Sequence, residues 1–272
     1  MKKLVTALAL VASIAGSNAI AAPVFSLTGG YAGPIVIRFQ DWESVLPGLA
    51  VGAENFGILR ITAIEDTSGN SIWIQGGTNG FLAGIFNDLI IQSVAPSGAG
   101  VRAQATGGHL AIYSSNTAPV PTQGLSGYAA AGCLPGDLCY HTISDNAGGD
   151  LFLALDFVSG VDPTNSSVTL DATFTTTTFP VGGTAASYLD VIGGSHAAMF
   201  DTNTQTTVFG NRDVYLTNGF CPNGNPTCGN VGDWQLISTD PARAAVIPEP
   251  GTVALFGVAL ALVSGFARRR RS

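Results

Sequence analysis

Basic residues are scarce in this 272-residue chain, and lysine occurs only at positions 2 and 3. Residues 22–247 carry 17 acidic residues and five arginines, a formal charge of −12. The arginines are Arg38, Arg60, Arg102, Arg212 and Arg243. Binding to nucleic acid or to anionic lipid requires clustered Lys or Arg. The composition therefore argues against nucleic acid as a partner and leaves divalent cations and polysaccharide as compatible ones.

Recognisable catalytic motifs are also lacking. The three histidines, His109, His141 and His196, are far apart in sequence and form no H-E-x-x-H pattern, so we interpret them as surface or structural residues. The segment Gly193-Gly194-Ser195-His196 has no glycine two residues after its serine, which a nucleophile elbow requires. We therefore predict no catalytic residues, no cofactor and no enzymatic activity.

The carboxylates do not identify an active site either. Asp41 with Glu43, and Glu65 with Asp66, are interpreted as solvated pairs, and nothing marks two carboxylates as facing one cleft, as a glycosidase needs. Residues 145–150 form an oxygen-rich segment that could bind calcium, although it lacks the terminal Glu of an EF-hand. We assign no metal site and keep calcium binding as an alternative.

What the sequence does contain is a series of short apolar runs separated by turn residues. The clearest alternation places Val168, Leu170, Ala172 and Phe174 on one face. No long amphipathic helix and no repeat of fixed period is evident. The pattern predicts an all-β fold, an antiparallel β-sandwich or jelly-roll-like body. The predicted strands are 35–39, 58–64, 71–75, 86–94, 110–113, 151–158, 168–174, 188–192, 208–209, 214–217 and 234–237.

Several connections are predicted with these strands. Residues 67–70 form a hairpin turn, and residues 151–174 form an antiparallel hairpin. Residues 114–136, rich in Ser, Ala, Pro and Gly, form either a long surface loop or a boundary between two β units. The β-rich body is predicted to span residues 22–239, followed by a linker at 240–247.

The four cysteines are Cys133, Cys139, Cys221 and Cys228. Their spacing favours two local disulfide bonds, Cys133 to Cys139 and Cys221 to Cys228, with turn residues between the partners. Three pairings are possible, and the sequence does not decide among them. Neither spacing matches a common zinc knuckle.

The N-terminus has the pattern of a secretory signal peptide. Two lysines precede an apolar stretch at 4–14, and Ala19-Ile20-Ala21 forms a small-x-small cleavage site. We predict a signal peptide at residues 1–21, removed by signal peptidase. Disulfide formation is consistent with this export route.

The C-terminus combines a short motif, an apolar run and a basic stop. Pro248-Glu249-Pro250 precedes uncharged residues 252–267, and Arg268, Arg269, Arg270 and Arg271 follow. A helix of roughly 16 residues would be about 24 Å long, slightly short of a ~30 Å hydrocarbon core. Flanking arginines can absorb that mismatch by snorkelling and would lie on the cytoplasmic side. We predict one transmembrane helix at about 252–267.

These residues resemble the PEP-CTERM sorting domain, also named the ice-binding protein C-terminal domain, over residues 248–272. The resemblance implies recognition by an exosortase, a membrane enzyme of Gram-negative bacteria that make exopolysaccharide. It implies passage through the inner membrane, a transient membrane anchor, and release to the cell envelope or the extracellular matrix. Pro248, Glu249 and Pro250 would be recognised by that enzyme and would catalyse nothing.

We therefore expect a non-enzymatic envelope or matrix protein associated with exopolysaccharide in a biofilm. The alternatives are a carbohydrate- or calcium-binding β module, a secreted hydrolase and an ice-binding protein. Exposed Trp42, Trp73 or Trp234 would favour carbohydrate binding by stacking on sugars, but we expect these residues to be buried core aromatics. Ice binding would require a regular array of threonines, and the single run at Thr175, Thr176, Thr177 and Thr178 has no repeat.

Overall fold

The structure, a computed structural model, describes residues 25–143, 149–178, 181–225, 228 and 230–248. This part of the chain is all-β, as predicted, with only two short α-helices, α1 (Ser126–Ala130) and α2 (Ala197–Phe200). The strands are β1 (Gly33–Leu46), β2 (Glu54–Asp66), β3 (Ser71–Ile74), β4 (Phe81–Ser97), β5 (Gly100–Ser115), β6 (Asp150–Val158), β7 (Leu170–Phe174), β8 (Gly183–Gly193), β9 (Gln205–Thr207), β10 (Gly210–Arg212), β11 (Val214–Pro222) and β12 (Leu236–Val246).

Eight of these strands form one antiparallel sheet that closes on itself. The order is β1, β2, β4, β5, β6, β8, β11 and β12, and β12 pairs again with β1. The strand β3 extends the sheet beside β2, and β7 lies between β5 and β8 beyond the end of β6. We call the closed eight-strand unit the cylinder. The expected sandwich of two sheets is replaced by this single closed sheet.

The cylinder forms because each strand presents alternate side chains to its interior. On β1 the inward residues include Ile35, Ile37 and Phe39, and all three are buried in the main apolar cluster. The hairpin between β4 and β5 turns through two residues, where Gly98 supplies the positive φ that such a turn needs. An eight-stranded closed sheet is just wide enough for side chains to fill it.

Three predicted connections differ in the structure. The strands β6 and β7 do not form a hairpin, because each pairs with β5 and β8 instead. Val208 and Phe209 form the turn between β9 and β10. The predicted linker at 240–247 is mostly strand, since β12 runs through Val246 and pairs with β1.

A separate apolar layer lies outside the cylinder. Residues 116–143 and 230–235, which we call the outer cover, pack over the outward faces of β1, β2 and β4. Tyr128, Tyr140 and Trp234 are in contact there. The two tyrosine rings meet edge to face with centroids 5.1 Å apart, and Tyr140 and Trp234 are tilted with centroids 5.9 Å apart. The predicted long surface loop is therefore a packed element of the same unit rather than a domain boundary.

Candidate functional site

The most unusual chemical feature is a polar layer inside the cylinder. Asp41 and Glu43 are only 2% and 3% exposed, so their interpretation as a solvated pair was wrong. Both continue the inward face of β1, with Phe39 before them and Val45 after them. Apolar clusters lie on both sides of this level of the interior. Burial of two carboxylates in such surroundings is costly unless other groups compensate their charge.

Three further side chains meet the two carboxylates. The Asn218 Nδ2 group donates to Asp41 Oδ2 at 2.7 Å and to Glu43 Oε1 at 3.2 Å, while the Asn55 Nδ2 group donates to Glu43 Oε2 at 2.9 Å. The Ser238 hydroxyl donates to Asp41 Oδ1. Because one amide nitrogen serves both acids, the two carboxylates lie within the reach of a single side chain. We call Asp41, Glu43, Asn55, Asn218 and Ser238 the interior polar layer.

The alternation of β1 is a sequence signal for the two acids of this layer. Ile35, Ile37 and Phe39 are alternate residues on the inward face of the strand, and the next two residues on that face are Asp41 and Glu43. A strand of 14 residues keeps the same face inward along its whole length. Asn55, Asn218 and Ser238 could not be added from sequence, because only closure of the sheet places β2, β11 and β12 around β1.

Two of the histidines, His109 and His196, each lie close to one polar side chain. The His109 Nδ1 atom lies 2.6 Å from Asp156 Oδ1, and both side chains are partly exposed on the outer surface. The Ser195 hydroxyl lies 3.0 Å from Nδ1 of His196, whose ring stacks on Phe152 at 4.4 Å between centroids. His109 belongs to β5, whereas Ser195 and His196 follow the end of β8. The two pairs therefore belong to separate parts of the sheet.

The proposed carbohydrate contacts are absent from the surface. Trp42, Trp73 and Trp234 are each 2% exposed, so none presents a ring for stacking on a sugar. Trp234 belongs to the outer cover, Trp42 packs against it from β1, and Trp73 lies in the interior cluster. The four threonines of the run at 175–178 are exposed after the end of β7, and two of them bond to each other in a local turn.

The two disulfide bonds form as the local spacing favoured, between Cys133 and Cys139 and between Cys221 and Cys228. Among the described residues, one cluster of His, Cys or acidic side chains has metal-ligand spacing, and it consists of Cys133, Asp137 and Cys139. Both sulfurs are already bonded to each other, and Asp137 accepts from the backbone of Leu134. The first bond therefore joins the ends of a loop in the outer cover.

The outer cover is a dry environment. Burial raises the pKa values of the Tyr128 and Tyr140 phenols well above their usual range. The Tyr140 hydroxyl donates to the carbonyl of Gly124 at 2.9 Å, and the Trp234 indole donates to the carbonyl of Pro121 at 2.9 Å. These bonds join segments of the outer cover to each other.

The predictions for the two termini fall mainly outside the described residues. These are the signal peptide with its cleavage residues Ala19 and Ala21, most of the 145–150 segment, and the tail from Glu249 onward. None of the helices in the described ranges has the length and apolar character that a membrane crossing requires. The last described strand ends at Val246, two residues before the Pro-Glu-Pro motif begins at Pro248.

The tail itself gives a clear comparison. Residues 246–271 match the PEP-CTERM protein-sorting motif. The resemblance inferred from Pro248, Glu249, Pro250 and the basic stop is thereby confirmed. The motif implies an exported protein that an exosortase processes and delivers to the envelope or the extracellular space. No curated protein and no solved structure matches the chain.

Proposed function

We propose that this PEP-CTERM protein is a non-enzymatic component of the cell envelope or extracellular matrix, associated with exopolysaccharide. The observation that carries the proposal is the sorting motif at residues 246–271. Exosortase is its processing partner. The predicted signal peptidase step and the transient inner-membrane anchor at about 252–267 belong to the same proposed route.

The charge and the disulfide bonds of the folded body are suited to a protein that functions outside the cell. Its formal charge of −12 keeps it soluble beside other anionic polymers and gives it affinity for cations that bridge them. Two disulfide bonds stabilise the outer cover and the end of β11, which favours persistence outside the cell. The interior is packed with side chains, and three cavities that described residues line have volumes of about 20 to 40 Å³. Such volumes are far below the several hundred Å³ of an ordinary small-molecule site.

Localisation in a host that has an exosortase and makes exopolysaccharide tests the proposal. We expect the wild-type protein in the matrix fraction together with the polysaccharide. The Glu249→Ala variant should stay unprocessed in the membrane fraction, because the only charged side chain of Pro248-Glu249-Pro250 is lost. Glu65→Ala, which removes an acid of the folded body, is the matched control and should be sorted normally.

Three results would contradict parts of the proposal. Normal maturation of Glu249→Ala would show that the motif is not what the sorting enzyme recognises. Wild-type protein recovered entirely in the free medium, with none bound to polysaccharide, would remove the matrix association. Turnover of a polysaccharide or ester panel by the purified protein would contradict the non-enzymatic assignment.

A further inference from the structure

The interior polar layer contains an oxygen-rich donor set. Two carboxylates, two side-chain amides and one hydroxyl converge from β1, β2, β11 and β12. An acidic pair alone does not make a binding site, since one carboxyl group can simply remain protonated. The polar groups around the pair therefore decide what this layer can bind.

Several of those surrounding groups lack a hydrogen-bond partner among the described residues. The unpartnered atoms include Oδ1 of Asn55, Oδ1 of Asn218 and Oγ of Ser187. Asn55 is 7% exposed and Ser187 is completely buried. Ser187 pairs across the sheet with Leu216, which lines the same cavity as Asp41, Glu43, Asn55 and Asn218. An unpartnered buried oxygen destabilises a folded protein, so the presence of several such atoms near this cavity indicates a missing partner.

The space beside these atoms fits one small particle. A cavity of about 20 Å³ is lined by Asp41, Glu43, Asn55 and Asn218, and a second of about 20 Å³ adjoins Glu43 and Asn55 from the other side. Each volume holds roughly one water-sized particle. Neither accommodates an organic ligand, which leaves an ion or a water molecule as the occupant.

We propose that the interior polar layer is a structural calcium site. Rotation of an asparagine amide by half a turn exchanges its nitrogen and oxygen, so Asn55 and Asn218 can present Oδ1 to an ion that the carboxylates hold. Together with Asp41, Glu43 and the Ser238 hydroxyl, these atoms provide up to seven oxygens. Calcium takes about six to eight oxygen ligands in flexible geometry, including carboxylates and amide carbonyls.

The chemistry of the donor set favours calcium over other divalent ions. All five side chains of the layer offer oxygen, the element that calcium prefers as a ligand. Magnesium usually keeps several waters, for which a cavity of about 20 Å³ has no room. Zinc prefers nitrogen and sulfur ligands, and this layer contains neither.

The position of the site assigns it a role in closing the cylinder. Asp41 and Asn218 are separated by 177 residues in sequence, and Asp41 and Ser238 by 197. One ion would therefore tie β1 and β2, at the beginning of the body, to β11 and β12 at its end. An exported protein meets free calcium only after it leaves the cytoplasm, so the ion would stabilise the closed sheet in the compartment where it works.

Calcium titration of the full chain, purified in detergent and treated with EDTA, tests this proposal. Isothermal titration calorimetry should show one calcium ion bound per chain. The midpoint of thermal unfolding should rise by roughly 5–10 °C at a calcium concentration one hundred times Kd. Magnesium at the same concentration should have a much smaller effect. Absence of calcium binding at millimolar concentration would overturn the proposal.

Substitutions distinguish the interior site from other acidic groups. Glu43→Gln should weaken calcium binding at least tenfold, whereas Glu65→Gln on the outer surface should leave it unchanged. In EDTA, Glu43→Gln should be as stable as the wild type or more so, because it removes one buried carboxylate; in calcium it should be less stable. Asn55→Asp should reverse this pattern, with tighter calcium binding and lower stability in EDTA.

The rival calcium segment needs its own control. The double variant Asp145→Asn/Asp150→Asn should bind calcium as the wild type does. Loss of binding in that variant, with normal binding in Glu43→Gln, would place the ion in the loop and overturn the interior site. Equal binding by the wild type, Glu43→Gln and Asn55→Asp would do the same.

Discussion

At the scale of single residues, Asp162 is a buried acid that several hydrogen-bond donors surround. The Asp162 carboxylate accepts hydrogen bonds from the backbone amide and the hydroxyl of Thr164 at 2.9 and 2.6 Å, and from the side-chain amide of Gln104 at 2.7 Å. The Arg102 guanidinium adds a contact at 3.2 Å. The hydrogen bonds from Thr164, then Gln104, and the nearby arginine hold the pKa of Asp162 well below its usual range. Donors of this kind favour the ionised form.

We therefore predict a pH-dependent effect of Asp162→Asn. Because the folded-state pKa is lowered, the stabilisation is fully present above the ordinary aspartate pKa of about 3.9 and is lost as the pH falls toward the folded-state value. The variant should be less stable than the wild type at pH 7, and the difference should shrink near pH 3. Urea denaturation at both values measures it. Asp201→Asn, on the exposed surface, should show little difference at either pH, and a constant deficit for Asp162→Asn would contradict the linkage.

The environment of a residue could be predicted from sequence when the residues that contact it are close to it in the chain. Asp66 accepts from the amides of Ser68 and Asn70 at 2.8 and 2.9 Å, which confirms the turn predicted at 67–70. The two disulfide partners are also close in sequence, so their favoured pairing was correct. The burial expected for Trp42 and Trp234 is confirmed, but the outer cover that buries Trp42 was not predictable, because it is formed by distant segments.

At the scale of elements, the outer cover depends on one close contact. A Cβ atom at Gly127 of α1 would collide with the ring of Tyr140. Tyr140 is completely buried against Tyr128 and Trp234 and has little room to move. The glycine is therefore required by packing rather than by backbone conformation.

Gly127→Ala should accordingly destabilise the protein by about 1–3 kcal/mol, the usual cost of overpacking. The unfolding free energy in urea gives the magnitude, and near-ultraviolet circular dichroism reports the displaced tyrosine. Gly193→Ala is the matched control, since the nearest neighbour of its new Cβ would be Ala154 at 3.9 Å. Equal stability of the two variants would show that the outer cover shifts to accommodate the added methyl group without loss of stability.

The strand β12 explains one failed prediction at this scale. Its inward residues include Ala242 and Ala244, which carry a weak β signal, and it contains Pro241. The ladder between β11 and β12 has no pairs between Ser238 and Ala242, so the proline, which lacks an N–H group, is tolerated there. Composition alone therefore indicated a linker where the sheet has a strand.

At the scale of the whole molecule, β12 is the strand that closes the cylinder. It pairs with β1 from Gly33 to Glu43 and with β11 on its other side. Val246 is 1% exposed, and burial of a valine side chain contributes about 1.5–3 kcal/mol. Loss of the strand would also leave the pairing edges of β1 and β11 open.

Truncation tests this role directly. A chain that ends at Thr239 should lose cooperative unfolding and most of its strand signal in far-ultraviolet circular dichroism. The total free energy of unfolding of a protein is about 5–15 kcal/mol, and the lost half of β12 contributes a large share of it. A chain that ends at Pro248 keeps all of β12 and should unfold like the processed protein. Cooperative unfolding of the shorter chain would show that 240–247 behaves as the linker predicted from sequence.

The sequence by itself determined the sorting signal, the all-β class, most of the strands and the favoured disulfide partners. These features depend on residues that are adjacent or nearly adjacent, and a sorting enzyme recognises an extended motif without reference to the fold. Only the tertiary structure decided that one sheet closes on itself and that Asp41 and Glu43 are interior residues. Burial depends on which strands pair, and the partners of these acids on β11 and β12 are more than 170 residues away.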